Sequence, residues 1–125
     1  MVSWKELIST DAKHIRGEPL KVKVAEKDDV LEGTMRMVQA QGGSYVLAKV
    51  SGKLYAIDGI CSHRGGELWH GHLNGAVVKC PRHGAEYDVR TGEVVGQVKL
   101  PLIGKAQGQR SVTVTVEPDG VYLDV

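Results

Sequence analysis

The chain has 125 residues, 42% hydrophobic and 25% charged, so it is long enough to bury a core without disulfide staples and reads as one globular domain. Its 16 basic residues stand against 15 acidic ones, for a net charge of +1, which gives no electrostatic case for nucleic acid or an anionic membrane as partner. No apolar run approaches a membrane span, and the first residues match neither a signal peptide nor a lipid anchor, so the expected location is the cytoplasm, with no membrane anchor.

Residues 1–18 open on Trp4-Lys5-Glu6-Leu7-Ile8, the pattern of a short helical turn, and continue through polar residues to Gly17-Glu18-Pro19. Trp4 reads as a lid on the core and His14 as a surface histidine. Residues 1–25 are set apart as an N-terminal extension to which no motif assigns a role. Leu20-Lys21-Val22-Lys23-Val24 alternates apolar and basic residues with period two, the mark of a half-buried strand whose lysines guard an edge. Glu26 to Asp29 reads as a surface loop.

From Thr34 the pattern is a meander. Thr34 to Gln39 alternates, Gln41-Gly42-Gly43-Ser44 supplies a turn, Tyr45 to Val50 is the next strand, and Ser51-Gly52 connects it to Lys53-Leu54-Tyr55-Ala56-Ile57. Met35 and Met37 share a face and read as core rather than metal ligands. Asp58-Gly59 then delivers the chain to Cys61-Ser62-His63. Gly65, Gly66 and Gly71 follow, suited to a loop whose backbone must approach a bound group closely. Trp69 reads equally well as core or as an apolar shoulder of that loop. His70 and His72 read as exposed loop residues. Sixteen residues then separate His63 from Cys80-Pro81-Arg82-His83.

Beyond the second pair, Tyr87 to Val95 suggests a hairpin turning at Thr91-Gly92. Ser111-Val112-Thr113-Val114-Thr115-Val116 is the clearest strand in the chain, and Pro118-Asp119-Gly120 turns it into Val121 to Val125. No long amphipathic helix and no internal repeat is evident. The expected fold is all-β, built of small antiparallel sheets with a loop-rich subdomain inserted.

Cys61 and Cys80 are the only cysteines, and each stands within three residues of a histidine. Three assignments compete: two buried cysteines acting as small hydrophobes, a structural Cys₂His₂ zinc site, or a two-iron cluster with one residue type on each iron. Zinc knuckles usually pair like with like, whereas here each half-site mixes one sulfur with one nitrogen. Each loop can then offer a cysteine to one iron and a histidine to the other, which favours the cluster.

These boxes resemble the Rieske [2Fe-2S] domain, and the resemblance extends beyond Cys61-Ser62-His63 and Cys80-Pro81-Arg82-His83-Gly84. It is carried also by Arg64-Gly65-Gly66-Glu67-Leu68, by Gly71 to Val78, by Glu86-Tyr87-Asp88 and by Thr91-Gly92-Glu93. It implies one Rieske-type domain over residues 1–125, with its cluster-binding region at 59–104 and one [2Fe-2S] cluster. By resemblance Cys61 and Cys80 bind the inner iron, while His63 and His83 bind the outer iron and reach the surface. Gly84, Ala85, Tyr87 and Pro101 would surround them, Pro101 on a proline-containing loop over the cluster. High-potential members of the family carry two further cysteines joined as a disulfide, and a serine where Ala85 stands; both are missing here. Tyr87 matches a tyrosine that donates to a ligand sulfur. The combination implies a low potential, though not the lowest of the class.

The function implied is a soluble Rieske-type ferredoxin, a one-electron carrier without substrate turnover, between a reductase and an oxygenase or other acceptor. Arg64 and Arg82, beside the histidines, are candidate docking charges. The alternatives are a small Rieske subunit of a larger oxidoreductase complex and a zinc-binding interaction module. A complete oxygenase chain does not fit, because no histidine follows His83 to build a 2-His-1-carboxylate iron site downstream.

Overall fold

In the computed structural model the described residues are 20–62, 65–82, 84–97 and 106–125. The expectations for Trp4, His14, His63, Arg64, His83 and Pro101 therefore lie outside them.

The fold is organised around the run Tyr45-Val46-Leu47-Ala48, apolar at four consecutive positions and buried at all of them. A strand with one wet face alternates; one covered on both faces reads as a continuous apolar run. This run is the middle of β3 (Gly43–Val50), which pairs antiparallel with β2 (Met35–Ala40) and β4 (Lys53–Asp58). With β9 (Ser111–Val112) they form a four-stranded sheet in the order β9-β4-β3-β2. Both hairpins turn as their sequences predict. Gln41-Gly42 and Ser51-Gly52 have φ of 50°, 80°, 52° and 80°, and two successive positive φ values give the turn whose twist matches the flanking strands.

Each face of this sheet supports a separate core. Val38, Tyr45, Leu47, Ala56 and Val112 pack with Ala25, Val121 and Leu123. The latter come from a three-stranded antiparallel sheet, β10 (Val114–Glu117), β11 (Gly120–Asp124) and β1 (Lys21–Ala25), in the order β10-β11-β1. Residues 21–25, the end of the N-terminal stretch set apart above, are thus an integral strand. On the other face Val46, Ala48 and Ile57 pack with Leu68, Val78, Tyr87, Val89 and both cysteines. That core is roofed by a second four-stranded sheet: β5 (His72–Asn74), β6 (Val77–Lys79), β7 (Glu86–Asp88) and β8 (Val94–Gly96). Full burial of a side chain such as Leu47 or Ile57 contributes about 1.5–3 kcal/mol, so the two cores are comparable anchors.

One sequence expectation is corrected. Ser111 to Val116 is not one strand: Ser111–Val112 pairs with β4, while Val114–Glu117 pairs with β11 in a different sheet. The chain changes sheets at Thr113, whose carbonyl accepts the Asp124 amide at 3.0 Å. Side-chain alternation persists through the change, because it records the faces of a strand and not its partner.

Candidate metal centre

Two loops carry the cysteines, and both are folded by the same pair of backbone hydrogen bonds. The Cys61 amide donates to the Gly66 carbonyl at 2.7 Å and the Gly65 amide donates back to the Cys61 carbonyl at 3.1 Å. In the second loop the Cys80 amide donates to Ala85 at 2.8 Å and the Gly84 amide to Cys80 at 3.2 Å. The fourth residue after each cysteine must take a positive φ to close this ring, and Gly65 and Gly84 do so at 74° and 81°. Each ring brackets one histidine, His63 or His83.

The loops emerge from opposite layers. The first follows β4 and is held to the central sheet, where the Gly59 amide donates to Ser44 O at 2.9 Å. It closes through an isolated bridge between Ile60 and Glu67. A short 3₁₀ turn, Leu68–His70, then drops Leu68 into the core. Trp69 is partly buried against that core, its ring so near Gly59 that a Cβ there would lie 2.7 Å from it. The second loop joins β6 to β7. The two loops meet where a Cβ on Gly66 would lie 2.6 Å from Cys80 Sγ and 3.0 Å from Arg82 Cγ.

Neither cysteine is in a disulfide, and both are buried at 3% exposure. Tyr87 is fully buried, its hydroxyl 3.0 Å from Cys61 Sγ and 3.1 Å from Ser62 Oγ. Burial, and then the bond to Cys61, push its phenol well above the usual tyrosine range, so it keeps its proton and can donate it. Ala85, fully buried beneath the second loop, has no side-chain donor. His70 and His72 are exposed, and His70 Nδ1 lies 3.2 Å from Glu67. Among the described residues no three His, Cys, Asp or Glu side chains could hold a metal ion together.

Sequence reasoning missed a strap over the first loop, residues 106–110. Gln109 is the buried polar side chain of the described residues, 6% exposed. Its Oε1 accepts the Ser62 amide at 2.7 Å, and its Nε2 donates to Asp58 O at 2.9 Å and Ile60 O at 2.7 Å. The Gln107 amide donates to Ser62 Oγ at 3.0 Å, and the Ser62 hydroxyl donates to Gln107 O. Two glutamines separated by one glycine ahead of a strand carry no local signal of this role.

The donor set suits a thiolate-bound cluster: two buried cysteines outside any disulfide, a glycine where a side chain would meet one sulfur, and a phenol beside the other. This is the chemistry and architecture of an iron–sulfur protein. The family model for the Rieske [2Fe-2S] domain matches residues 20–105, and the chain belongs to that family. The ferredoxin component of the p-cumate 2,3-dioxygenase system of Pseudomonas putida is 35% identical over 107 residues, 83% of this chain and 85% of that protein. The ferredoxin of carbazole 1,9a-dioxygenase from Nocardioides aromaticivorans IC177 superposes with a TM-score of 0.72 at 26% identity, over 82% of this chain and 95% of its own. A chain in the complex of reduced oxygenase and oxidized ferredoxin in carbazole 1,9a-dioxygenase superposes at 0.71 with 28% identity, over 83% and 92%.

Proposed function

We propose that this protein is a ferredoxin of a Rieske oxygenase system, a soluble cytoplasmic one-electron carrier that takes electrons from a reductase and gives them to an oxygenase. In this reading Cys61, His63, Cys80 and His83 hold one [2Fe-2S] cluster within a single domain whose cluster-binding region is 59–104. The observation that carries it is the correspondence with a dioxygenase-system ferredoxin over 83% of this chain and 85% of that protein, in a chain whose two cysteines share one core beneath paired loops.

When bound, the cluster supplies one-electron exchange, at a potential raised by its imidazole ligands over that of an all-cysteine cluster. The chain's own residues do the rest. The apolar core around Cys61 and Cys80 excludes water from the sulfur side. In this reading His63 and His83 are the ligands through which electrons pass to a partner. Tyr87 offers a hydrogen bond to Cys61 that favours the more negative, reduced state, and Ala85 withholds one. Among the described residues no helix is long and apolar enough to cross a membrane.

The test is an EPR spectrum of the purified protein, oxidised and dithionite-reduced, with iron and acid-labile sulfide quantified. The expected outcome is a silent oxidised form, a reduced signal with average g below that of all-cysteine clusters, and two irons per chain. A colourless protein holding one zinc and no sulfide would sink the reading. Copurification with other chains at fixed stoichiometry would instead make it a resident subunit of a larger complex.

A further inference from the structure

Tyr87 has one proton and two acceptors within reach, Cys61 Sγ at 3.0 Å and Ser62 Oγ at 3.1 Å. How that proton is divided depends on what Ser62 does with its own. The Ser62 hydroxyl donates to Gln107 O, the Gln107 amide donates to Ser62 Oγ at 3.0 Å, and the Ser62 amide is held by Gln109 Oε1 at 2.7 Å. Serine is thus pinned at backbone and side chain by one strap, and its single proton is committed to a carbonyl. Its remaining lone pair faces the tyrosine as an acceptor. A hydroxyl whose own proton is committed elsewhere competes for the phenol proton as an acceptor.

We propose that Ser62, the residue between the two donors of the first loop, tunes the reduction potential by competing with Cys61 Sγ for the hydrogen bond of Tyr87. The strap residues Gln107 and Gln109 hold it in the competing position. This rests on the reading that Cys61 is a cluster ligand, and adds to it a tuning residue that itself touches no iron. Removing the Ser62 hydroxyl leaves the phenol proton to the sulfur alone, and a stronger bond to a thiolate favours the reduced state.

The test is a double-mutant cycle read by redox titration of the loaded protein: wild type, Ser62→Ala, Tyr87→Phe and both together. S62A is expected to raise the midpoint potential, shifting the reduction equilibrium about three- to tenfold, tenfold being about 59 mV for a one-electron couple. In the Y87F background the same change should leave the potential unmoved, and Ser62→Thr, which keeps the hydroxyl, should retain the wild-type value. The Fe–Sγ stretch in resonance Raman should drop in S62A and not in S62A/Y87F. A shift of equal size with and without Tyr87, a shift downward, or none overturns the proposal. If S62A holds no iron, Ser62→Gly takes its place in the cycle. If neither assembles while S62T does, the hydroxyl serves loop folding alone, and the proposal falls. A wild-type preparation that itself lacks the Rieske signal overturns the function above, so the two failures are distinguishable.

Discussion

Gln109 Oε1 accepts the backbone amide of Ser62 at 2.7 Å across 47 positions of sequence. The same carboxamide spends both Nε2 protons on the carbonyls of Asp58 and Ile60, so one side chain fixes the chain before and after Cys61. Gln109→Leu strands an amide and two carbonyls, and an unsatisfied buried group costs about 1–3 kcal/mol. Allowing for water reaching some of them, the expected loss is about 2–4 kcal/mol, read as a lower urea midpoint at unchanged slope. Gln109→Glu, although nearly isosteric, should be no milder, because a carboxylate would face two carbonyl oxygens.

Gly66 touches the sulfur of the opposite loop, so its missing side chain keeps the loops together rather than merely bending one. Gly66→Ala places a methyl 2.6 Å from Cys80 Sγ, an approach real side chains do not make. In the iron-free chain the Cys80 side chain can rotate away, and overpacking of this kind costs about 1–3 kcal/mol. With a metal to bind it cannot. The expected result is a folded protein with markedly less than the wild-type iron and sulfide per chain. Undiminished iron would show that the loops part without consequence.

The turn after β7 has a pH dependence of definite sign. Asp88 accepts the Arg90 side chain at 3.0 and 2.9 Å and the Arg90 amide at 2.9 Å, and the side-chain bonds, ahead of the backbone one, hold its carboxyl below the usual carboxylate range. A carboxylate depressed in the folded state stabilises above its unfolded pKa. That contribution is lost as pH falls through the folded value. Melting temperature should therefore decline more steeply in wild type than in Asp88→Asn as pH drops below about 4, with the gap between them closing at the acid end. Parallel curves would remove Asp88 from the acid limb.

Metal removal should divide the molecule along its central sheet. The core of Leu47, Ala56, Val121 and Leu123 contains no cysteine, while the core of Ile57, Leu68, Val78 and Tyr87 contains both. After iron is removed under reducing conditions, amides of β1 and β11 should keep their protection in hydrogen exchange. Those of Cys61 to Glu67 and Cys80 to Ala85 should exchange at least about tenfold faster, as low-stability segments open locally. Loss of protection in both halves together would mean that the cluster supports the whole fold.

The parts legible in the sequence are those that local chemistry dictates. Metal ligation needs particular residue types at short spacing, so Cys61-Ser62-His63 and Cys80-Pro81-Arg82-His83 stand out, and hairpin turns need positive φ, so Ser51-Gly52 and Gln41-Gly42 do too. The sheet change at Thr113 was not legible, because alternation looks the same whichever strand lies alongside. Nor was Gln109, whose partners lie 47 to 51 residues upstream. Tyr87 lay between these cases: the family resemblance marks it as a donor to a ligand sulfur, but only the fold adds Ser62 Oγ as its second neighbour. What escapes sequence reading here is how distant segments converge on the first loop.

Leu20 and Val125 exchange amide-to-carbonyl hydrogen bonds at 2.8 and 2.9 Å, side by side on the three-stranded sheet. That sheet shares a core with one face of the central strands, and the cysteines belong to the other. With residues 1–19 removed, a short linker could therefore join Leu20 to Val125, positions that already touch, and new termini could be opened at Ser51-Gly52. A tag, electrode tether or fused reductase attached at Val125 would be separated from the redox tip by an entire sheet, leaving that tip free to meet a partner.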